Sequence, residues 1–208
     1  MFVKVCGLTR QQDVDLAVTS GANAVGFVQW SGSPRVVRPD VVAQITTNVP
    51  AGVLKVGVFV NASPADVATA IAVGGLTAVQ LHGDENVDDY LHLDARVIKA
   101  VAPLSREDVD RACAISDEVL LLIDAHDPAR RGGTGRTADW SMAAQLAARR
   151  PVILAGGLNV GNLRAAIDAV RPWGVDTSSG IEASPGIKDH DKLRAFLNLE
   201  PRTPNFEP

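Results

Sequence analysis

Cysteine is scarce: only Cys6 and Cys113 occur among 208 residues. Two thiols cannot build a disulfide framework, which points to a reducing setting. Aromatic residues make up only 4 % of the chain, so a core must be filled by aliphatic side chains. No apolar run approaches the roughly 18 residues that a membrane helix needs. Basic clusters are also lacking, and a net charge of −4 argues against a nucleic-acid surface. No charged segment with an apolar signal core precedes the first strand-like run, so a cytoplasmic protein without membrane or nucleic-acid partners is expected. Low-complexity linkers and composition shifts are absent, which argues for a single domain. What is present is ordinary for a globular chain, 46 % apolar and 21 % charged, and long enough to bury a sizeable core.

Eight short β-branched runs are read as strands: 2–6, 24–28, 54–60, 78–81, 96–101, 119–123, 152–154 and 175–177. Helical periodicity and helix-start signals lie between them. Thr9 with Gln12 reads as a capping box, Ser63-Pro64 as an N-cap with proline at the first helical position, and Ser105 with Asp108 as another start. Asn159 is expected to open the helix carrying Leu163, Ile167 and Val170, while Gly21 and Gly74-Gly75 close helices. Near-continuous apolar strands alternating with helices indicate a parallel sheet covered by helices. Repeated through the chain, this pattern predicts an α/β fold, a single (β/α)8 TIM barrel over residues 1–200, with 201–208 as a proline-rich tail. A doubly wound sheet is the competing arrangement.

In such a barrel the segments that follow strands surround the mouth, where functional groups collect. Ala155-Gly156-Gly157-Leu158-Asn159 follows the seventh strand, and Asp176-Thr177-Ser178-Ser179-Gly180-Ile181-Glu182 follows the eighth. Glycines let the backbone approach an anion, and a short helix beginning near Ser179 would aim N–H groups at it. Together these loops point to phosphate binding. Asp124 leaves the sixth strand across the barrel from the first. It is either a structural acceptor or a general acid, and the acid role needs a pKa well above the reference of roughly 4. His126 and Asp127 lie close by, but no second histidine stands at ligand spacing, so no metal is expected.

Arg130-Arg131-Gly132-Gly133-Thr134-Gly135 lacks the ending of a nucleotide P-loop and reads either as a lid over an anionic substrate or as a solvated loop. Arg35, after the second strand, could fork onto a carboxylate or stand in solvent. Gln80 and His82 end the fourth strand, and His82 could shuttle a proton, stack on a ligand or be a satisfied structural histidine. Cys113, on a helix among alanines, is assigned to packing. Cys6 ends the first strand. A thiol there can be a base, a nucleophile, a metal ligand or filling, and its reference pKa near roughly 8.5 suits a base if the site favours thiolate.

The motifs Lys4-Val5-Cys6-Gly7-Leu8-Thr9, Gly21-Ala22-Asn23-Ala24-Val25-Gly26-Phe27, Val56-Gly57-Val58-Phe59-Val60, Gln80-Leu81-His82-Gly83, Leu154-Ala155-Gly156-Gly157-Leu158 and Asp176-Thr177-Ser178-Ser179-Gly180-Ile181-Glu182 resemble those of phosphoribosylanthranilate isomerases. The resemblance runs from the first strand to Lys188-Asp189-His190. It implies an Amadori rearrangement of N-(5-phosphoribosyl)anthranilate in tryptophan biosynthesis, with no cofactor. By the same resemblance, Asp124 is the general acid and Cys6 the general base. Arg35 would hold the anthranilate carboxylate, Asp176 would meet the sugar hydroxyls or the anthranilate amine, and Gln80 and His82 would contact substrate. Gly156, Gly157, Ser178, Ser179 and Gly180 would bind phosphate. A monomer or a homodimer is compatible with it.

One departure is Gln29, where the family usually has an aromatic or aliphatic residue; it alters the anthranilate pocket or follows from a different loop path. Two alternatives stand beside this reading. One is a dual-substrate sugar isomerase of the histidine and tryptophan pathways, which resembles this chain but uses aspartate as the first-strand base. The other is a non-catalytic barrel that binds a phosphorylated ligand, which would need neither Cys6 nor Asp124.

Overall fold

A computed structural model describes residues 1–124 and 140–199. Eight parallel strands close into a barrel in sequence order: β1 (Phe2–Val5), β2 (Ala24–Val28), β3 (Leu54–Phe59), β4 (Ala78–Leu81), β5 (Arg96–Val101), β6 (Leu120–Ile123), β7 (Val152–Leu154) and β8 (Gly174–Thr177). Closure is direct, with Phe2 to Val5 of β1 in register with Gly174 to Thr177 of β8. The doubly wound alternative is thereby excluded. The strands agree with the apolar runs to within a residue at their ends. Cys6 falls just beyond β1, but its N–H still bonds the Thr177 carbonyl at 2.8 Å.

Each strand is apolar on both faces because two different cores use it. Phe2, Ala24, Val56, Ala78, Ile98, Leu122 and Ile153 fill the barrel interior. Their neighbours Val3, Val25, Val79, Val97 and Leu121 face outward into the larger layer beneath the helices. That layer is covered by α1 (Gln11–Thr19), α2 (Pro39–Ile45), α3 (Pro64–Gly74), α4 (Arg106–Cys113), α5 (Trp140–Ala147), α6 (Leu163–Val170) and α7 (His190–Asn198). A short 3-10 helix, Val87–Tyr90, is the only helix between β4 and β5. Its Tyr90 hydroxyl reaches back to the Ala62 carbonyl. Beyond β8, another 3-10 turn (Ser179–Ile181) leads into a small antiparallel hairpin, β9 (Glu182–Ser184) and β10 (Ile187–Lys188).

The start signals hold at two helices. Ser63 caps α3 with Pro64 at the first position, and Ser105 with Asp108 forms a reciprocal capping box on α4. Two others are corrected. Arg10, not Thr9, stands at the N-cap of α1, with no side-chain cap. The Thr9 hydroxyl instead donates to the Gly186 carbonyl, tying the β1 loop to the hairpin. Asn159 lies in a turn that precedes α6, where the Asn162 carboxamide accepts its N–H at 2.8 Å, and the helix begins at Leu163. Pro201–Pro208 lies outside the described residues.

Candidate active site

Alternation along the strands decides which side chains reach the mouth. Phe2 points inward, so Lys4 and Cys6 follow it on the same face; Ala78 likewise carries Gln80 and His82, and Leu122 carries Asp124. Asp176, paired in register with Lys4, faces the same space from β8. The interior is therefore apolar low down and polar at the carboxyl ends of the strands.

Two clusters form there. On one side, Lys4 is wholly buried and its Nζ lies 3.1 Å from Asp176 Oδ2. Asp176 Oδ1 is also buried, with no hydrogen-bond partner among the described residues. Burial works to lower Lys4, but Asp176 and Cys6 together outweigh it and hold the ammonium above its ordinary value. For Asp176, burial pushes the carboxyl up, against the pull of Lys4. Burial also pushes the Cys6 thiol up, while Lys4 and Lys188 draw it down. Gly26 makes the room that this sulfur occupies: a Cβ there would stand 2.8 Å from Sγ.

Across the mouth, Gln80 Nε2 meets His82 Nδ1 at 2.9 Å, and His82 Nε2 meets Asp124 Oδ2 at 3.2 Å. With the amide nitrogen donating, Nδ1 is the acceptor and Nε2 carries the proton that faces the carboxylate. His82 thus joins a buried amide to Asp124, rather than standing alone.

The loops after β7 and β8 are built to present backbone. Gly156 and Gly157 adopt φ of +81° and +66°, a left-handed pair that glycine allows without strain. The carboxamides of Asn159 and Asn162 both bond the Gly157 carbonyl, at 3.2 and 3.0 Å. Thr177 Oγ1 donates to the Leu158 carbonyl at 2.8 Å, clamping the two loops together. A Cβ on Gly180 would collide with that same carbonyl oxygen, so only glycine allows the approach. Among the described residues, the N–H groups of Gly156, Gly157, Ser179 and Gly180 have no protein acceptor.

Arg35 does not stand in solvent but forks onto a carboxylate of the protein itself. Its Nε and Nη2 grip Glu182 side-on at 2.8 and 2.7 Å, leaving Nη1 outside the pair. Glu182 also takes Lys188 Nζ at 3.0 Å, and that ammonium donates in turn to the Ser178 carbonyl at 3.0 Å. Burial would raise Glu182, but Arg35 and Lys188 hold it below its ordinary value. Lys188 is lowered by its own burial, against Glu182. Behind them, buried Asp13 accepts from Arg10, His190 and the Lys188 backbone, which fixes the hairpin to α1. Gln29 donates its amide to the Val37 carbonyl at 2.9 Å, pinning the loop after β2.

His126, Asp127 and the Arg130–Gly135 segment lie outside the described residues. No cluster of three or more metal-ligating side chains occurs among those described, and no described helix is long and apolar enough to cross a membrane. Four residues of this region carry no expectation from the sequence. Lys4 was legible as a charge at inward parity, two before Cys6, and Gly26 as a gap in an apolar strand. Glu182 and Lys188 gave no such signal: they pair with each other across the hairpin, but the third member of the cluster, Arg35, lies 147 residues from Glu182.

A closed parallel barrel with its polar inward residues gathered at the carboxyl-terminal mouth defines a (β/α)8-barrel enzyme. Fold alone does not say which. The family model described as "PRAI: N-(5'phosphoribosyl)anthranilate (PRA) isomerase" matches residues 3–199, and the chain belongs to that family of isomerases. The N-(5'-phosphoribosyl)anthranilate isomerase of Chromohalobacter salexigens is 46 % identical over 206 residues, 94 % of this chain and 92 % of that protein. A phosphoribosyl anthranilate isomerase solved with reduced 1-(o-carboxyphenylamino)-1-deoxyribulose 5-phosphate superposes with a TM-score of 0.83 at 39 % identity, covering 95 % and 97 % of the two chains. Monomers made from the dimeric enzyme of Thermotoga maritima give 0.83 at 38 % identity over the same shares.

Proposed function

We propose that the protein converts N-(5'-phosphoribosyl)anthranilate to 1-(2-carboxyphenylamino)-1-deoxyribulose 5-phosphate in tryptophan biosynthesis, as a cytoplasmic monomer or homodimer. The observation that carries the reading is that Cys6 and Asp124 sit inward at the carboxyl ends of β1 and β6, in a barrel of this family. Asp124 protonates the furanose ring oxygen, and the ring opens to an iminium. Cys6 then removes the C2′ proton, giving an enolamine that tautomerises to the ketone. The proton balance closes, and the oxidation at C2′ is matched by reduction at C1′ within the substrate, so the step needs no external oxidant or reductant.

Substrate recognition follows the two ends of the molecule. The N–H groups of Gly156, Gly157, Ser179 and Gly180, with Ser178, receive the phosphate. Arg35 takes the anthranilate carboxylate through the Nη1 end that Glu182 leaves unused. Asp176 meets the sugar hydroxyls or the anthranilate amine, and His82, oriented by Gln80, contacts the substrate beside Asp124. The relatives' names favour this single activity over a dual-substrate isomerase, and a barrel that only binds would not need the acid and base.

Phosphoribosylanthranilate fluoresces, and its loss reports turnover directly. Wild type is expected to consume it, with Cys6→Ser and Asp124→Asn each slowed at least about a hundredfold. Inactive wild type, or variants that keep the wild-type rate, would overturn the assignment.

A further inference from the structure

Lys4 is buried, charged and unused by the steps above. The charged groups that act on the Cys6 sulfur include Lys4 from its own strand, Asp176 from β8, Lys188 from β10 and Arg35 from the loop after β2. Asp124 and His82 stand across the mouth and act on Asp176. Of these, Arg35 and Lys188 are both committed to Glu182. Lys4 alone shares the inward face of β1 with Cys6, and its ammonium, held at 3.1 Å by Asp176, has no exposure to water.

A lysine inside a barrel is costly to bury, and its one carboxylate does not make it necessary: an apolar pair of similar size would cost less. Its charge acts on two neighbours, Asp176 and the Cys6 thiol, and of these the thiol is the one that the proposed reaction uses as its base. We propose that Lys4 is a positioning residue: it keeps a positive charge beneath the Cys6 sulfur, so that the thiolate can form in a buried site and act as base. The inference rests on the general-base reading of Cys6. Asp176 has a second part, anchoring the ammonium so that it stays under the sulfur.

The test starts from Cys113→Ala, which leaves Cys6 as the single thiol. The rate of alkylation by iodoacetamide against pH gives the midpoint for thiolate formation, without substrate. Lys4→Met is expected to raise that midpoint by about one pH unit or more, while Lys4→Arg stays near the parent. Should Lys4→Met fail to fold, the same comparison is made between Asp176→Asn and Lys4→Met/Asp176→Asn, which leaves no orphan charge. The limb of kcat/KM that rises with pH should shift by the same amount in the lysine variant. An unmoved alkylation midpoint would overturn the proposal, and so would a shifted midpoint with an unchanged kcat/KM profile. If wild type does not turn over phosphoribosylanthranilate, it is the functional reading that fails; the alkylation result still reports on Lys4 and the thiol.

Discussion

Gly26 lacks a side chain because the Cys6 sulfur fills the place where one would be. Its backbone is unstrained, and the other atoms that a Cβ would meet, Cys6 Cα and Cβ at 3.2 and 3.3 Å, need give by only a few tenths of an ångström. Gly26→Ala should therefore keep the circular dichroism of the parent, yet lose about ten- to a hundredfold in kcat/KM as the thiol is displaced. A variant with parental turnover would show that the sulfur's position does not matter. The sequence made Cys6 and Asp124 visible as candidates, because each stands at the exit of an apolar strand run. It did not reveal how Arg35 is held, since Glu182 lies 147 residues away and nothing local links them. Gln80 and His82 stood two apart on one strand face, and that spacing is what lets them bond.

At the scale of elements, what could be read depended on whether the cause was local. The strands were legible because parallel strands buried on both faces are apolar throughout. Ser105 with Asp108 was legible because a capping box closes within one turn. Thr9 offered the same pattern, but a distant carbonyl, Gly186, took its hydroxyl. The Asn159 turn was misread for a related reason: its amide and that of Asn162 hold the loop after β7 rather than start a helix. Ser105→Ala removes a cap without touching the site. It should cost about 1 kcal/mol in denaturant unfolding with kcat/KM unchanged; no loss of stability would mean that the box contributes nothing to α4.

For the whole molecule, carboxylates that gain partners on folding make stability depend on pH. Glu182, Asp40, Asp108 and Asp189 are all held below their ordinary values by cationic or N–H partners. A carboxyl lowered by folding stabilises the protein above its unfolded pKa, and that contribution is lost as pH falls through its folded value. Asp176 runs the other way, since burial raises it and acid relieves its charge. The lowered groups are more numerous, so Tm should fall on acidification below about pH 4. Glu182→Gln, which removes the most enclosed of them, should flatten that dependence. Parallel Tm curves for the two proteins would contradict this.

The division of labour between Asp124 and Cys6 is tested most directly by the deuterium isotope effect on kcat/KM, with substrate labelled at C2′. If Asp124 opens the ring and Cys6 then takes the C2′ proton, Cys6→Ser makes proton removal limiting and enlarges the effect, whereas Asp124→Asn makes ring opening limiting and suppresses it. An effect enlarged in Asp124→Asn and lost in Cys6→Ser would reverse the two roles, and one unchanged in both would remove these residues from the chemistry.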